Sequence, residues 1–179
     1  MLIHRYWTGS GLPLHEPWLQ KCLISLNHNV EVNEWRDDEL PTEYTKFFDD
    51  DQVREQDQLL HRANIVRLLL LFDFGGAWYD YDVVPLLPLA SLPCPSIGSH
   101  RGLCNSFMYF ESHDYRIEAA LDMILEQPHS DRPSTVVSGS VFLREHLKDV
   151  HYLEYPYSPD GVLLHSGRPF AIHLGGKPW

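Results

Sequence analysis

The chain has 179 residues, which suits a single domain spanning residues 1–179 with a substantial hydrophobic core. Its formal net charge of −11 argues against a nucleic-acid backbone as partner. Its three cysteines are odd in number and lack metal-ligand spacing, so we interpret them as reduced thiols of a cytoplasmic protein. No apolar run is long enough to span a membrane and no leader pattern is visible, so we expect a cytoplasmic protein, with peripheral attachment at a membrane surface as the alternative.

Hydrophobic periodicity and the positions of proline and glycine predict the secondary structure. A proline-rich segment at residues 86–96 and a tyrosine- and proline-rich segment at residues 151–159 are predicted to be loops. The acidic run 49–51 is interpreted as a solvated helix start. The predicted strands are 1–6, 30–35, a segment delivering the aspartates at 80 and 82, and one or two strands within 97–110; the predicted helices lie within 12–26 (beginning after Pro17) and at 42–48, 61–74, 113–127 and 141–150.

The most informative stretch is the apolar helix at 61–74 and the glycine pair that follows it. Asn64 and Arg67 are three residues apart, so they share one face of this helix. Gly75 and Gly76 are able to adopt the positive-φ conformation that ends a helix and turns the chain. The sequence therefore predicts a helix, a sharp stop and a short strand.

That strand is predicted to carry Asp80 and Asp82 on the same side, because side chains two apart on a strand share a face. Two carboxylates beside a buried strand must be paired, protonated or bound to a cation. Mg²⁺ and Mn²⁺ bind a few carboxylates and complete their coordination with water and substrate phosphate. The pattern thus fits a metal–diphosphate site. The alternative is a strand end with two solvated aspartates in a turn, which a bare Asp-x-Asp would favour.

The stretch from Arg62 to Val83 resembles the DXD signature of glycosyltransferase family 32, with fungal mannosyltransferases, bacterial capsule transferases and relatives of glucosylating clostridial toxins. The shared residues are Arg67, the double glycine and both aspartates. Asn64 stands where the family usually has Asp, and residues 78–79 stand where an aliphatic-Tyr-Leu run is more common. The resemblance implies a GT-A fold, an α/β sandwich with a mostly parallel central sheet in a single compact domain. It also implies retaining transfer of a hexose.

Both ends of the chain extend this resemblance. Residues 3–9 resemble the family's opening Ile-His-x-x-Trp-x-Gly, where Trp7 either stacks on a nucleobase or is an ordinary core aromatic. Residues 171–179 resemble the closing motif of family 8 and of family 32. In those families the histidine is the third protein ligand of the metal and the lysine lies on the donor diphosphate, which implies these roles for His173 and Lys177. The segment at 135–141 resembles the family's Thr-Gly-Pro run only loosely.

The resemblance therefore implies a complete reaction. Mn²⁺ or Mg²⁺ and Lys177 would stabilise the departing diphosphate of a UDP- or GDP-linked sugar, and the acceptor would be a sugar, a lipid-linked molecule or a protein. Two other readings remain. One is a phosphohydrolase of haloacid-dehalogenase type with Asp80 as nucleophile, and the other is a non-catalytic subunit that binds nucleotide sugar. The predicted site comprises catalytic Asp80, Asp82, Arg67 and Lys177; donor-binding Trp7, Gly9, Asn64, Arg67, Asp80, Lys177 and Trp179; acceptor-side Asn105; and metal ligands Asp80, Asp82 and His173.

Overall fold

A computed structural model of the chain describes residues 1–8, 16–48, 52–53, 55–99, 103–128, 132–154 and 171–173. At 16–19, 103, 154 and 172–173 only the backbone is described. Within these ranges, no helix combines the length and the apolar character needed to cross a bilayer.

The described residues form eight strands and five α-helices, with short 3-10 helices between them. The 3-10 helices are Thr42–Phe47, Glu55–Asp57 and Leu89–Ser91. The strands are β1 (Leu2–Tyr6), β2 (Glu31–Trp35), β3 (Gly76–Tyr79), β4 (Val83–Pro85), β5 (Ser96–Ser99), β6 (Leu103–Phe110), β7 (His151–Glu154) and β8 (Ala171–His173); the helices are α1 (Glu16–Leu26), α2 (Gln58–Phe74), α3 (Tyr115–Leu125), α4 (Ser134–Val137) and α5 (Ser140–His146).

Six strands form one central sheet in the order β2-β1-β3-β6-β5-β7. β1 is parallel to both β2 and β3, whereas β6 is antiparallel to its neighbours β3 and β5, and β7 is parallel to β5. Five strands of this described sheet therefore run in one direction and β6 runs in the other. β4 and β8 pair as a separate antiparallel ribbon.

Hydrophobic residues cover both faces of the central sheet. On one face, α2, α3 and α5 pack against strand residues such as Trp78 and Met108. On the other face, Leu23 of α1 packs with Ala77, Tyr79 and other strand residues. Because Ala77 and Tyr79 alternate with Trp78 along β3, one strand contributes to both cores. This strand leads directly into the two aspartates.

Helix α2 lies in the middle of the larger core, since every residue from 63 to 71 is buried. It ends at Gly75, which has a φ of 63° and donates its N–H to the carbonyl of Leu71 at 2.9 Å. Gly76 follows with a φ of 92°, and a Cβ there would lie 2.4 Å from the carbonyl oxygen of Leu2. The glycine pair therefore allows the chain to leave α2 and enter β3 beside β1.

The structure confirms the predicted α/β fold with a mostly parallel central sheet. The segment 97–110 contains two strands, and the residues preceding it form a loop with one 3-10 turn. Two secondary-structure predictions for the second half of the chain were wrong. Residues 151–154, predicted as loop, form a strand because they pair in parallel with β5, and the helix predicted over 141–150 ends at His146. The acidic run 49–51 lies outside the described residues.

Candidate active site

Asp80 and Asp82 lie in a tight turn, residues 80–82, which we call the DXD turn. Strand β3 ends at Tyr79 and β4 begins at Val83, whose N–H donates to the carbonyl of Asp80 at 3.1 Å. The prediction that both aspartates lie on a strand was therefore wrong, because the chain reverses as soon as β3 ends. The turn is fixed to the sheet by the Asp80 N–H, which donates to the carbonyl of Ser106 at 2.8 Å. It lies beyond the carboxyl end of β3, where α/β sheets bind ligands.

The first aspartate is not a freely solvated side chain. Oδ1 of Asp80 accepts from Nη2 of Arg67 at 2.9 Å and from the indole N–H of Trp78. The Arg67 side chain is 4% exposed and that of Asp80 is 30% exposed, so the guanidinium is buried and the carboxylate faces outward. The guanidinium also lies 4.8 Å from the centroid of the Trp78 ring. Among the described residues, no donor reaches Oδ2 of Asp80, so one oxygen is anchored and the other is open to a ligand.

Asn64 connects the helix to two other segments of the site. Its Oδ1 accepts from Nδ2 of Asn105 at 2.9 Å and from Nη1 of Arg67 at 3.4 Å. Its Nδ2 donates to Oγ of Ser138 at 3.4 Å, and that hydroxyl also lies 2.8 Å from Nδ1 of His61. The predicted common face of Asn64 and Arg67 is confirmed. The contact of Asn64 with Asn105 also brings the candidate acceptor-side residue to the same place.

Sequence reasoning missed His61, and it offered Ser138 only through the loose resemblance of residues 135–141. The signal for His61 was its spacing, because His61, Asn64 and Arg67 follow one another at three-residue intervals on one helix face. Nothing in the sequence linked Ser138 to this helix face, because it lies in a turn after α4, 74 residues from Asn64. The backbone there is tight: a Cβ on the adjacent Gly139 would lie 3.1 Å from Nδ2 of Asn64.

Tyr81, the middle residue of the DXD turn, points into the protein and is 6% exposed. The Arg5 guanidinium lies over its ring at 3.8 Å, and the Trp7 ring meets it edge-on at 5.6 Å. Trp7 is itself 7% exposed. The structure therefore places Trp7 beside the DXD turn as a mostly buried side chain that packs against Tyr81. It also places Arg5 against the turn, a contact that sequence reasoning had not considered. The signal for Arg5 was a charged residue within a buried strand.

Of the remaining predicted site residues, the structure describes Asp82 and the backbone of His173. Asp82 is partly buried, and the next residue, Val83, pairs with His173 across the β4–β8 ribbon. The backbone of His173 thus runs beside the DXD turn, while its side chain is outside the description. Gly9, Lys177 and Trp179 also lie outside the described residues. Over the described part of the chain, no group of three or more His, Cys, Asp or Glu side chains is arranged to hold a metal.

Residues 14–102, which include α2 and the DXD turn, match the family described as "Glycosyltransferase sugar-binding region containing DXD motif". The chain is thus similar to DXD-containing glycosyltransferases over 89 of its 179 residues. Its helix–glycine–DXD unit falls within the matched region, so the geometry described above is that of the DXD segment itself.

Two known proteins are similar to this chain, one in sequence and one in fold. Inositol phosphoceramide mannosyltransferase 3 of Schizosaccharomyces pombe is 28% identical over 133 residues, covering 68% of this chain and 36% of the yeast protein. The chain thus spans little more than a third of the length of that relative. The solved structure of PaToxG glycosyltransferase has the same fold, with a TM-score of 0.64 at 16% identity, covering 81% of this chain and 66% of that one.

Proposed function

We propose that this chain transfers a sugar from a nucleotide-diphosphate donor to an acceptor with the help of a divalent cation. The observation that carries the proposal is the Asp80 carboxylate, anchored by Arg67 through one oxygen at the carboxyl end of β3, with Asp82 two residues further. A cation that takes few protein ligands and completes its shell with water and phosphate fits this donor set. Asp80 and Asp82 would hold Mn²⁺ or Mg²⁺, together with His173.

When bound, the cation supplies Lewis-acid stabilisation of the diphosphate as it leaves the anomeric carbon. The chain's own residues prepare that step. Arg67 fixes one oxygen of Asp80, so this carboxylate needs little reorganisation to act as a ligand. Lys177 is proposed to neutralise the departing diphosphate.

The other predicted site residues are proposed to bind the sugar, the nucleotide or the acceptor. Asn64 and Arg67 are proposed to orient the sugar, and Asn105 to lie on the acceptor side. Trp7, Gly9 and Trp179 are proposed to surround the nucleotide. Support comes from the short distance between Asn64 and Asn105 and from the position of Trp7 beside the DXD turn.

The resemblance to family 32 supports two finer proposals, retention at the anomeric carbon and a hexose as the transferred sugar. The similarity to a mannosyltransferase makes mannose the first sugar to test, with a UDP or GDP carrier. The acceptor is proposed to be a sugar, a lipid-linked molecule or a protein. Polysaccharide synthesis and a cytoplasmic location, in solution or at the membrane surface, remain parts of the proposal.

A second candidate is a non-catalytic subunit that binds nucleotide sugar. The observation that favours it is the engagement of Asn64: both polar atoms of its amide are bonded to protein groups, on Asn105, Arg67 and Ser138. A phosphohydrolase with Asp80 as nucleophile is disfavoured, because that class carries its Asp-x-Asp directly after an N-terminal strand, whereas here the pair follows helix α2 and strand β3.

The released product separates these candidates. We would incubate the native chain with Mn²⁺ and a panel of UDP- and GDP-sugars, beginning with mannose, and analyse the products. A transferase releases nucleoside diphosphate, a phosphohydrolase releases inorganic phosphate, and a binding subunit releases neither while binding nucleotide. NMR of the first sugar product then tests retention, since the one-bond coupling constant between C1 and H1 differs between the two anomers, also for mannose. Absence of both release and binding would refute the proposed site.

A further inference from the structure

We propose that Ser138 is a positioning residue for the candidate active site and acts through the amides of Asn64 and Asn105. The proposal rests on the proposed function and deepens it, because it says which atom of Asn105 meets the substrate and what holds that atom in place. Ser138 lies in the turn after α4 and is fully buried, so its hydroxyl group acts on other side chains and not on a ligand.

The orientation of the Asn64 amide follows from its neighbour on α2. An arginine side chain carries only hydrogen-bond donors, so the Asn64 atom that faces Nη1 of Arg67 at 3.4 Å is the carbonyl oxygen Oδ1. The amide nitrogen Nδ2 therefore faces Oγ of Ser138, also at 3.4 Å. A Cβ on Gly139 would lie 3.1 Å from this nitrogen, so the turn encloses it closely. Arg67 and Ser138 together fix both ends of the amide.

Ser138 can accept from Asn64 in either tautomer of His61. A hydroxyl group donates one hydrogen bond and accepts two. Oγ of Ser138 lies 2.8 Å from Nδ1 of His61 and 3.4 Å from the carbonyl oxygen of Ser134. If Nδ1 accepts, the hydroxyl donates to His61, and if Nδ1 donates, the hydroxyl donates to the Ser134 carbonyl. In both cases a lone pair remains for Nδ2 of Asn64.

Asn64 passes this orientation on to Asn105. Nδ2 of Asn105 donates to Oδ1 of Asn64 at 2.9 Å, so the carbonyl oxygen of Asn105 is turned away from Asn64. Asn105 is half-buried, and within the described part of the chain no donor reaches its Oδ1. The next residue, Ser106, accepts the Asp80 N–H at 2.8 Å, which places Asn105 beside the DXD turn. Asn105 thus presents a hydrogen-bond acceptor, which suits a hydroxyl group of the transferred sugar or of the acceptor.

Two serines of the same segment provide a matched pair of variants. Ser138→Ala removes the hydroxyl group that accepts from Asn64. Ser134→Ala makes the same chemical change at a second fully buried serine, whose own hydroxyl group has no partner among the described residues. The main-chain carbonyl of Ser134 is kept in that variant. Both variants lose the same side-chain atom, and the first alone releases the Asn64 amide.

Calorimetric binding in Mn²⁺ compares GDP-mannose with GDP and UDP-glucose with UDP, so that the two compounds of each pair differ by the sugar. We expect Ser138→Ala to bind the nucleotide sugar about three- to tenfold more weakly, the equivalent of one hydrogen bond, with unchanged affinity for the nucleoside diphosphate. Ser134→Ala should match the native chain. This result assigns the hydroxyl group to the transferred sugar. Unchanged affinities with slower release of nucleoside diphosphate assign it to the acceptor, which is water in this assay.

Three results would overturn the proposal. They are equal losses in Ser138→Ala and Ser134→Ala, a loss in Ser138→Ala that is as large for the nucleoside diphosphate as for the nucleotide sugar, and native binding and release in Ser138→Ala.

NMR of the side-chain amides tests the positioning step without any ligand. The amide signals of Asn64 and Asn105 should shift in Ser138→Ala and keep their native positions in Ser134→Ala. An unshifted Asn105 signal in Ser138→Ala would also overturn the proposal. If the native chain binds none of the four compounds, the proposed function fails and the role of Ser138 in the reaction fails with it, whereas the amide signals still show whether Ser138 orients Asn105.

Discussion

Nη2 of Arg67 lies 2.9 Å from Oδ1 of Asp80, and this ion pair joins the buried helix α2 to the first aspartate of the DXD turn. The guanidinium is almost completely buried and the carboxylate is not. The pair therefore works as an anchor: the helix fixes one oxygen of Asp80 from the inside, and the outer part of the carboxylate remains available.

Arg67→Ala should abolish most activity, with a loss of about a hundredfold or more, because Asp80 loses the group that orients it. It should also cost about 2 kcal/mol of unfolding free energy, less than the roughly 3–5 kcal/mol for a fully buried ion pair, since Asp80 is partly solvated. Donor turnover and urea denaturation measure the two effects. Arg144→Ala is the control, because Arg144 is exposed on α5. Full activity in Arg67→Ala would contradict the anchoring role.

Asn64→Leu should lower the unfolding free energy by about 2 kcal/mol, because the partly buried donor of Asn105 and the buried donor of Arg67 lose their shared acceptor. Asn64→Asp keeps that acceptor, and the Ser138 hydroxyl can rotate to donate, so its stability should lie close to that of the native chain. Chemical denaturation compares the three proteins. A gain in turnover of tenfold or more in Asn64→Asp would show that the native amide limits catalysis and would strengthen the case for a binding subunit.

His4 should make the fold sensitive to acid. It is fully buried, accepts from the Trp35 indole at Nδ1 over 3.2 Å and donates from Nε2 to the Gly75 carbonyl over 2.9 Å. Burial lowers the pKa of His4, although the Gly75 carbonyl and Glu31 oppose the shift. The unfolded chain therefore binds more protons at this position than the folded chain does. His4 thus destabilises the fold as pH falls below about 6.5, by at most about 1.4 kcal/mol per pH unit.

His4→Gln retains a donor and an acceptor without titrating. Urea denaturation between pH 7.5 and pH 5 should show a steeper loss of stability for the native chain than for this variant. If the free energy of unfolding falls equally with pH in the two proteins, the acid sensitivity does not come from His4.

Gly76→Ala should destabilise the fold by about 2 kcal/mol or more, which corresponds to a fall of about 5 °C or more in Tm. The φ of 92° is strained for alanine, and the new Cβ would lie 2.4 Å from the backbone oxygen of Leu2. Differential scanning calorimetry measures the change. An unchanged Tm would mean that the junction between α2 and β3 relaxes easily, contrary to its close packing.

Local patterns predicted much of this site, because the helix, its glycine stop and the aspartates are contiguous in sequence. The three-residue spacing of Asn64 and Arg67 was sufficient to place them on one face, and the double glycine was sufficient to end the helix. The strand assigned to Asp80 and Asp82 failed for a tertiary reason: the Asp80 N–H bonds to Ser106 on β6 and the chain then reverses.

The parts that sequence could not predict depend on long-range contacts. Nothing near Arg5 indicates a ring 76 residues away, and nothing near Ser138 indicates His61. Likewise, strand β7 is defined by its pairing with β5, so a tyrosine-rich segment that reads as loop becomes sheet. Such features follow from the topology of the sheet, which decides which segments become neighbours.

The most direct test of the central claim is release of nucleoside diphosphate from a nucleotide sugar in Mn²⁺, compared between the native chain, Asp82→Asn and Asp122→Asn. Asp122 is exposed on α3 and controls for the loss of one negative charge. We predict release by the native chain and Asp122→Asn, and its loss in Asp82→Asn and in EDTA. Release that persists in Asp82→Asn or in EDTA would contradict the assignment of the DXD turn as the metal and diphosphate site.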